Sequence, residues 1–239
     1  MLGPQQNPQS DRQTQVEAFI LAGGVSSRMG RDKHSLELAG VPIILRTLRL
    51  VLPLTKKVTI VGAVSLSLPL EVIAVADDDY DLPTETGKSK SPLFGIATAL
   101  SHSESPWILI LACDLPYLTG DWLAWLIARA EKSGAQIVMP YTAQNPQPLA
   151  AMYRRECGPA IVRSLRSGVR RVKDALAQFT IEALPESEWR QFDPEGIVLK
   201  SMNTPSDYDE ACKWWLAKEP PKLELPGPRL AESLWEKRS

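Results

Sequence analysis

Three cations, three glycines and two hydroxyls fall within eleven residues, Gly23–Lys33 (GGVSSRMGRDK). Gly23, Gly24 and Gly30 let the backbone approach a ligand closely and take up positive φ. Ser26 and Ser27 offer donors, and Arg28, Arg31 and Lys33 are opposed by one carboxylate, Asp32. Exposed backbone N–H groups beside cations suit a phosphate. Two familiar phosphate loops do not fit. Gly24 and Gly30 are separated by five residues and followed by Arg31, so the segment is not G-x-x-x-x-G-K-[ST], and G-x-G-x-x-G fails as well. Gly87-Lys88-Ser89 imitates the end of the first motif, but Leu82 stands where its first glycine belongs. On residue types alone, a phosphate cradle and a glycine turn with solvated cations both remain open.

Carboxylates are the second group with chemical potential. Asp114 follows the most apolar run of the chain, Trp107–Leu111 (WILIL), and suits either a hard cation or the cap of a turn. Asp77, Asp78, Asp79 and Asp81 place four carboxylates in five residues, a pattern that reads mainly as a solvated acidic turn. Other chemistries are poorly supplied. The two histidines, His34 and His102, read as surface residues and disfavour transition-metal clusters and Ser-His-Asp hydrolysis. Cys113, Cys157 and Cys212 lie far apart with no C-x-x-C pair, against a disulfide framework or a zinc site. Arg170 and Arg171 form a further cationic pair, and Asn203 precedes a helix-capping string. Trp107, Trp122, Trp125, Trp214 and Trp215 read as packing residues.

The elements that must position these groups follow from apolar periodicity. Glu17–Ala22 (EAFILA) is a buried strand stopped by glycines, and strands are also predicted over 58–61, 70–75, 107–111, 135–139 and Gly196–Ser201. Helices are predicted over 41–53, 92–100, 121–132, 156–167 and 170–178, with another opened by Thr204 as N-cap and Pro205 at its first position. This alternation predicts an α/β, Rossmann-like three-layer sandwich with a mostly parallel central sheet. Within it, the cations at 28–33, the acidic run at 77–81 and Asp114 all leave the carboxyl ends of strands, the edge where open α/β sheets bind ligands. The organisation expected is a polar, disordered leader over 1–15, one domain over 16–217, a surface loop over 81–91 and a Pro-rich tail over 218–239.

Size and charge agree with this picture. The 239 residues fit one α/β domain, and 27 Lys plus Arg against 28 Asp plus Glu exclude a protein built to coat nucleic acid. No apolar run is long enough to span a membrane, and the leader lacks the apolar core of a secretory signal. With the unpaired cysteines, this points to a cytoplasmic location.

The string LAGGVSSRMGRDK, residues 21–33, resembles the signature of the molybdenum cofactor guanylyltransferase family of nucleotidyltransferases, L-A-G-G-x-S-x-R-M-G-x-D-K. Ser91-Pro-Leu-Phe-Gly-Ile96 resembles the family's G-P-L-x-G-I segment, with Ser91 where Gly is usual. Ala112-Cys-Asp-Leu-Pro-Tyr-Leu118 resembles its C-D-x-P-x-L segment. Gln147-Pro148, Ala150–Tyr153, Gly168–Arg171 and Asn203–Pro205 also have counterparts, so the likeness covers roughly residues 17–216.

The resemblance implies a nucleotide-diphospho-sugar transferase-like fold. The implied reaction is transfer of GMP from GTP to molybdenum-molybdopterin, with Mg²⁺ as cofactor and pyrophosphate released. The implied partners are these two substrates and proteins that make or accept the molybdenum cofactor. The implied halves are GTP-binding and molybdopterin-binding. Leu21, Ala22, Gly23 and Gly24 would contact the nucleotide through backbone, and Arg28 and Lys33 would hold the triphosphate. Asp114 would bind both metal and nucleotide. One aspartate after the 70–75 strand would contact the nucleotide, with Asp77 the match by position and Asp78 or Asp79 as alternatives. Arg170, Arg171 and Asn203 are candidates for the molybdopterin. The runners-up are a molybdopterin cytidylyltransferase, whose first loop usually reads L-A-A-G or T-A-A-G, another small-molecule nucleotidyltransferase, and a nucleotide-binding regulatory domain.

Overall fold

The computed structural model describes residues 15–22, 35–78, 80, 91–143 and 145–218. The expectations for the leader to residue 14, for Gly23–Lys33, for Asp79, for the loop over 81–90 and for the tail from Glu219 lie outside the described residues.

In chain order the elements are β1 (Val16–Leu21), β2 (Glu37–Leu38), β3 (Val41–Pro42), α1 (Ile43–Val51), β4 (Lys57–Val61), β5 (Val72–Val75), α2 (Pro92–His102), β6 (Trp107–Ala112) and α3 (Gly120–Glu131). They continue with β7 (Ile137–Thr142), β8 (Asn145–Pro146), β9 (Ala150–Arg154), α4 (Gly158–Arg166), α5 (Val172–Leu176), β10 (Ile181–Leu184), α6 (Glu186–Trp189) and α7 (Pro205–Ala217). The main sheet runs β10-β7-β9-β6-β1-β4-β5, with β8 paired to β7, and β2 and β3 form a separate hairpin. The pairs β1–β4, β1–β6, β4–β5 and β7–β10 are parallel, while β9 runs antiparallel between β6 and β7. The mostly parallel sheet expected from the sequence is therefore observed.

Period-two alternation divides the core between the two faces of this sheet. Ala18, Ile20, Ile60, Leu109 and Leu111 face one way and pack with Ile44 and Leu48 of α1 and Leu123 and Leu126 of α3. Phe19, Leu21, Val61, Ile108 and Ile110 face the other way, against Leu93, Ile96 and Leu100 of α2 and Ile161 and Leu165 of α4. Burial on both sides explains why β1 and β6 are continuous apolar runs. A third cluster, with Leu38, Ile43, Tyr117, Met202 and Ala211, fixes the β2–β3 hairpin and α7 to the turn after β6.

Two local expectations need correction. Gly196–Ser201 is not a strand. The buried Asp193 carboxylate accepts the Ile197 and Val198 backbone N–H groups (2.9 and 3.1 Å), and Lys200 N–H turns back to the Ile197 carbonyl (2.8 Å), so the donors a sheet would need are used locally. Val198 and Leu199 are nevertheless buried, which accounts for the apolar pattern. The second departure is β10, an unforeseen strand at the sheet edge. The expected start of α7 is observed in full. Thr204 Oγ1 accepts the Asp207 N–H, and the Asp207 carboxylate accepts the Thr204 N–H, a capping box.

Candidate functional site

The chain runs from β1 to β4 and β5 on one side, then returns to β6 on the other side of β1. Such a reversal opens a crevice at the carboxyl ends of the two diverging strands, here β1 and β6. Leu21 pairs with Val61 on one side and Ala112 on the other, and Val61 pairs with Val75. Just past these pairs, Ala22 N–H donates to Val61 O (2.8 Å), Cys113 N–H to Leu21 O (3.2 Å) and Gly62 N–H to Val75 O (2.8 Å). The edge thus presents Asp114, Ala22, Gly62 and Asp77 in that order. Three inter-strand steps from β6 to β5 span about 14 Å at the usual strand spacing, room for a nucleotide lying across the strand ends.

The walls of this edge come from α2 and α7. Gly95 of α2 abuts the end of β1, and a Cβ there would lie 3.0 Å from Leu21 Cδ1 and 3.2 Å from Cδ2. Ser91, the family-atypical residue, is the N-cap of α2. Its Oγ accepts Leu93 N–H (3.2 Å) and donates to the Arg170 carbonyl, tying the 91–96 segment to the second half of the chain. From the other side Met202 N–H donates to the Asp114 carbonyl (2.9 Å), and Trp215 Nε1–H donates to the Pro116 carbonyl (3.1 Å).

The structure sorts the remaining sequence candidates. Leu21 and Ala22 are buried at the strand end, and Asp114 and Asp77 are half-buried on the same edge. Asn203, one residue from Met202, is brought beside the Asp114 turn, and its side chain donates to Ser201 Oγ (2.7 Å). Arg170 and Arg171 differ. The Arg170 guanidinium donates to the Leu165 and Val169 carbonyls (2.9 and 3.1 Å) at the end of α4 and lies over the Phe94 ring, whereas the Arg171 side chain is exposed. Arg28, Lys33, Gly23 and Gly24 lie outside the described residues. Asp78 has its own partners. Its carboxylate accepts from His102 Nε2–H (2.9 Å) and from the Tyr80 hydroxyl (3.2 Å), and Asp77 is the match to the nucleotide role by position. Sequence reasoning set His102 aside as a surface residue and did not single out Tyr80 or Thr98. Their contacts join residues 18 to 24 apart and leave no periodic trace.

Among the described residues no group of three or more His, Cys, Asp or Glu could hold a metal by itself. A lone carboxylate such as Asp114 fits a hard divalent cation that also takes ligands from substrate phosphates and water. A groove of about 820 Å³, lined by Leu100, Pro106, Val162, Arg155 and Arg163 among others, lies away from the edge just described and contains none of the sequence-derived site residues.

The profile of the MobA-like NTP transferase domain matches residues 18–181. The chain belongs to the MobA-like NTP transferase family. Among its MobA-like relatives, a protein of Trichormus variabilis named a probable molybdenum cofactor guanylyltransferase is 32% identical over 198 residues, covering 80% of this chain and 88% of that one. A Synechococcus elongatus protein of the same name is 34% identical over 203 residues, covering 80% and 95%. The solved structure of molybdopterin-guanine dinucleotide biosynthesis protein A from Archaeoglobus fulgidus shares 26% identity with a TM-score of 0.71, covering 84% of this chain and 99% of that one. The 2-C-methyl-D-erythritol 4-phosphate cytidylyltransferase of Thermus thermophilus shares the fold (TM-score 0.60, 13% identity, 83% and 98% coverage). MobA-like proteins and these cytidylyltransferases therefore share the sheet whose carboxyl edge carries Asp114 here. No helix among the described residues is long and apolar enough to cross a membrane.

Proposed function

We propose that this protein transfers GMP from GTP to molybdenum-molybdopterin, releasing pyrophosphate and forming molybdopterin guanine dinucleotide. The observation that carries the reading is the convergence of Leu21–Ala22, Asp77 and the Asp114 turn on one sheet edge at the crossover, in a MobA-like chain. The relatives named molybdenum cofactor guanylyltransferases supply the substrate pair, and Gly24 matches the guanine-type first loop.

In this reaction an oxygen of the molybdopterin phosphate bonds to the α-phosphorus of GTP, and the bond to the β-phosphate oxygen breaks. The attacking group is already an anion, so no general base is required, which agrees with the shortage of histidines. The work left to the protein is to bring two polyanions together and neutralise their charge. Arg28 and Lys33 hold the triphosphate and the departing pyrophosphate. The backbone of Leu21–Gly24 and the 91–96 segment seat the guanine, and Asp77 holds the nucleoside side. Asp114 is the residue that would hold Mg²⁺, which when bound offsets negative charge on the phosphates. Arg171 and Asn203, which flank the edge from the second half of the chain, hold the molybdopterin. Arg170 supports that side by fixing the end of α4.

Incubation of the purified protein with GTP, Mg²⁺ and molybdenum-molybdopterin is expected to release pyrophosphate. Asp114→Asn is expected to lower turnover by about a hundredfold or more with an unchanged circular dichroism spectrum. Turnover with CTP and none with GTP would overturn the guanine assignment, and full activity of Asp114→Asn would overturn the role of Asp114.

A further inference from the structure

Past β5, Asp78 and Tyr80 are fastened to α2 at several points. Asp78 N–H donates to Thr98 Oγ1 (3.0 Å), and the Tyr80 hydroxyl lies 3.3 Å from the same oxygen. The Asp78 carboxylate takes His102 Nε2–H on one oxygen (2.9 Å) and the Tyr80 hydroxyl on the other (3.2 Å). Thr98 and Tyr80 are buried, and the Tyr80 ring packs 6.2 Å from Phe94. Phe94, Thr98 and His102 recur every four residues, so one face of α2 makes all these contacts. The same helix meets Leu21 at Gly95 and is capped by Ser91. One rigid element therefore carries the 91–96 segment and contacts both the end of β1 and the residue next to Asp77.

We propose that Asp78, Tyr80, Thr98 and His102 form a positioning latch that holds Asp77 in register with the nucleotide edge and so sets affinity for the nucleoside triphosphate. This rests on the reading of Asp77 as a nucleotide contact. The latch residues themselves do not touch substrate. A connecting segment whose backbone is not fastened could shift by more than a hydrogen bond tolerates. Here Asp78, the immediate neighbour of Asp77, is bonded through its backbone to buried Thr98 and through its side chain to exposed His102, both on α2, so Asp77 enters the site with its backbone already fixed. Less ordering then remains to be done on binding.

The test is a double-mutant cycle on the full-length chain, read as the GTP dissociation constant by calorimetry with Mg²⁺ present. Asp77→Asn and Thr98→Val are each expected to weaken GTP binding five- to tenfold, and Thr98→Ser, which keeps the hydroxyl, to restore it. In the Asp77→Asn background, Thr98→Val is expected to add less than twofold, because it acts through Asp77. Should Thr98→Val fail to fold, Asp78→Asn on the half-exposed side of the cluster replaces it in the same cycle. Independent, multiplicative losses would overturn the latch and leave Thr98 a purely structural residue. An unchanged dissociation constant for the latch variants beside a weakened Asp77→Asn would also overturn it, while the nucleotide role of Asp77 would stand. An unchanged constant for Asp77→Asn would overturn that role and the latch with it.

Discussion

Gly95→Ala adds one methyl group where α2 meets the end of β1. The new Cβ would sit 3.0, 3.2 and 3.5 Å from Leu21 Cδ1, Cδ2 and Cγ, against about 3.5–4.0 Å for unstrained carbon contacts. Leu21 is only 7% exposed, so its side chain must be displaced within packed surroundings by several tenths of an ångström. Overpacking of this kind costs about 1–3 kcal/mol. Replacing a helical glycine by alanine returns up to about 1 kcal/mol. The net expectation is a loss of about 0–2 kcal/mol, or up to about 8 °C in Tm. Gly120→Ala is the matched control, since nothing lies within 4 Å of its added Cβ, and it should be neutral or slightly stabilising. Leu21 directly precedes Ala22–Gly24, so Gly95→Ala should also weaken GTP binding several-fold, whereas Gly120→Ala should not. Leu21→Val, which shortens the displaced side chain, should cost less in the Gly95→Ala background than alone. Urea denaturation and calorimetric titration of GTP measure both quantities. A Gly95→Ala protein as stable as Gly120→Ala, with unaltered GTP affinity, would refute the claim that α2 controls the end of β1.

Two further outcomes are expected. Arg170→Ala should lower Tm by a few degrees, because it strips the Leu165 and Val169 carbonyls of a charged donor, while Arg171→Ala should leave Tm unchanged and raise the KM for molybdopterin. The reverse pattern in thermal denaturation and steady-state kinetics would exchange their roles. Burial pushes the Cys157 thiol from 9.0 up to about 12 and the Tyr80 hydroxyl from 10.0 up to about 12. Both groups favour folding in their neutral form, so their contribution is complete at neutral pH and lost as pH rises through these ranges. Tm should therefore hold steady to about pH 8.5 and fall between pH 9 and 12, and a flat Tm across that interval would contradict the burial of both groups.

Legibility from sequence followed burial and local periodicity. β1 and β6 were plain because every residue from Val16 to Leu21 is buried, as is every residue from Trp107 to Leu111. β10, Ile181–Leu184, escaped notice because only Leu184 is fully buried and its pattern has no period to detect. The apolar Gly196–Ser201 segment misled for the opposite reason, with strand-like burial but backbone donors claimed by Asp193. Of the proposed site, the position of Asp114 at the end of β6 was readable because it follows a contiguous apolar strand, while the glycine-rich segment 23–33 lies outside the described residues. The separation of Arg170 from Arg171 was not readable, since adjacent identical residues differ only in where the fold turns each one. Nor were the partners of Asp78, which come from a helix 20 and 24 residues further on.

The two bonds that hold the Asp114 turn from outside the sheet, Met202 N–H to the Asp114 carbonyl and Trp215 Nε1–H to the Pro116 carbonyl, also set an order of events during synthesis. The last strand among the described residues ends at Leu184, so these strands have all been translated before either donor exists. At typical elongation speeds the roughly thirty residues from Leu184 to Trp215 take about 2–6 s. During that interval a nascent chain has the strands of this edge but not the brace beneath the Asp114 turn. The braced turn forms only once α7 has been made, about thirty residues after the β10 strand.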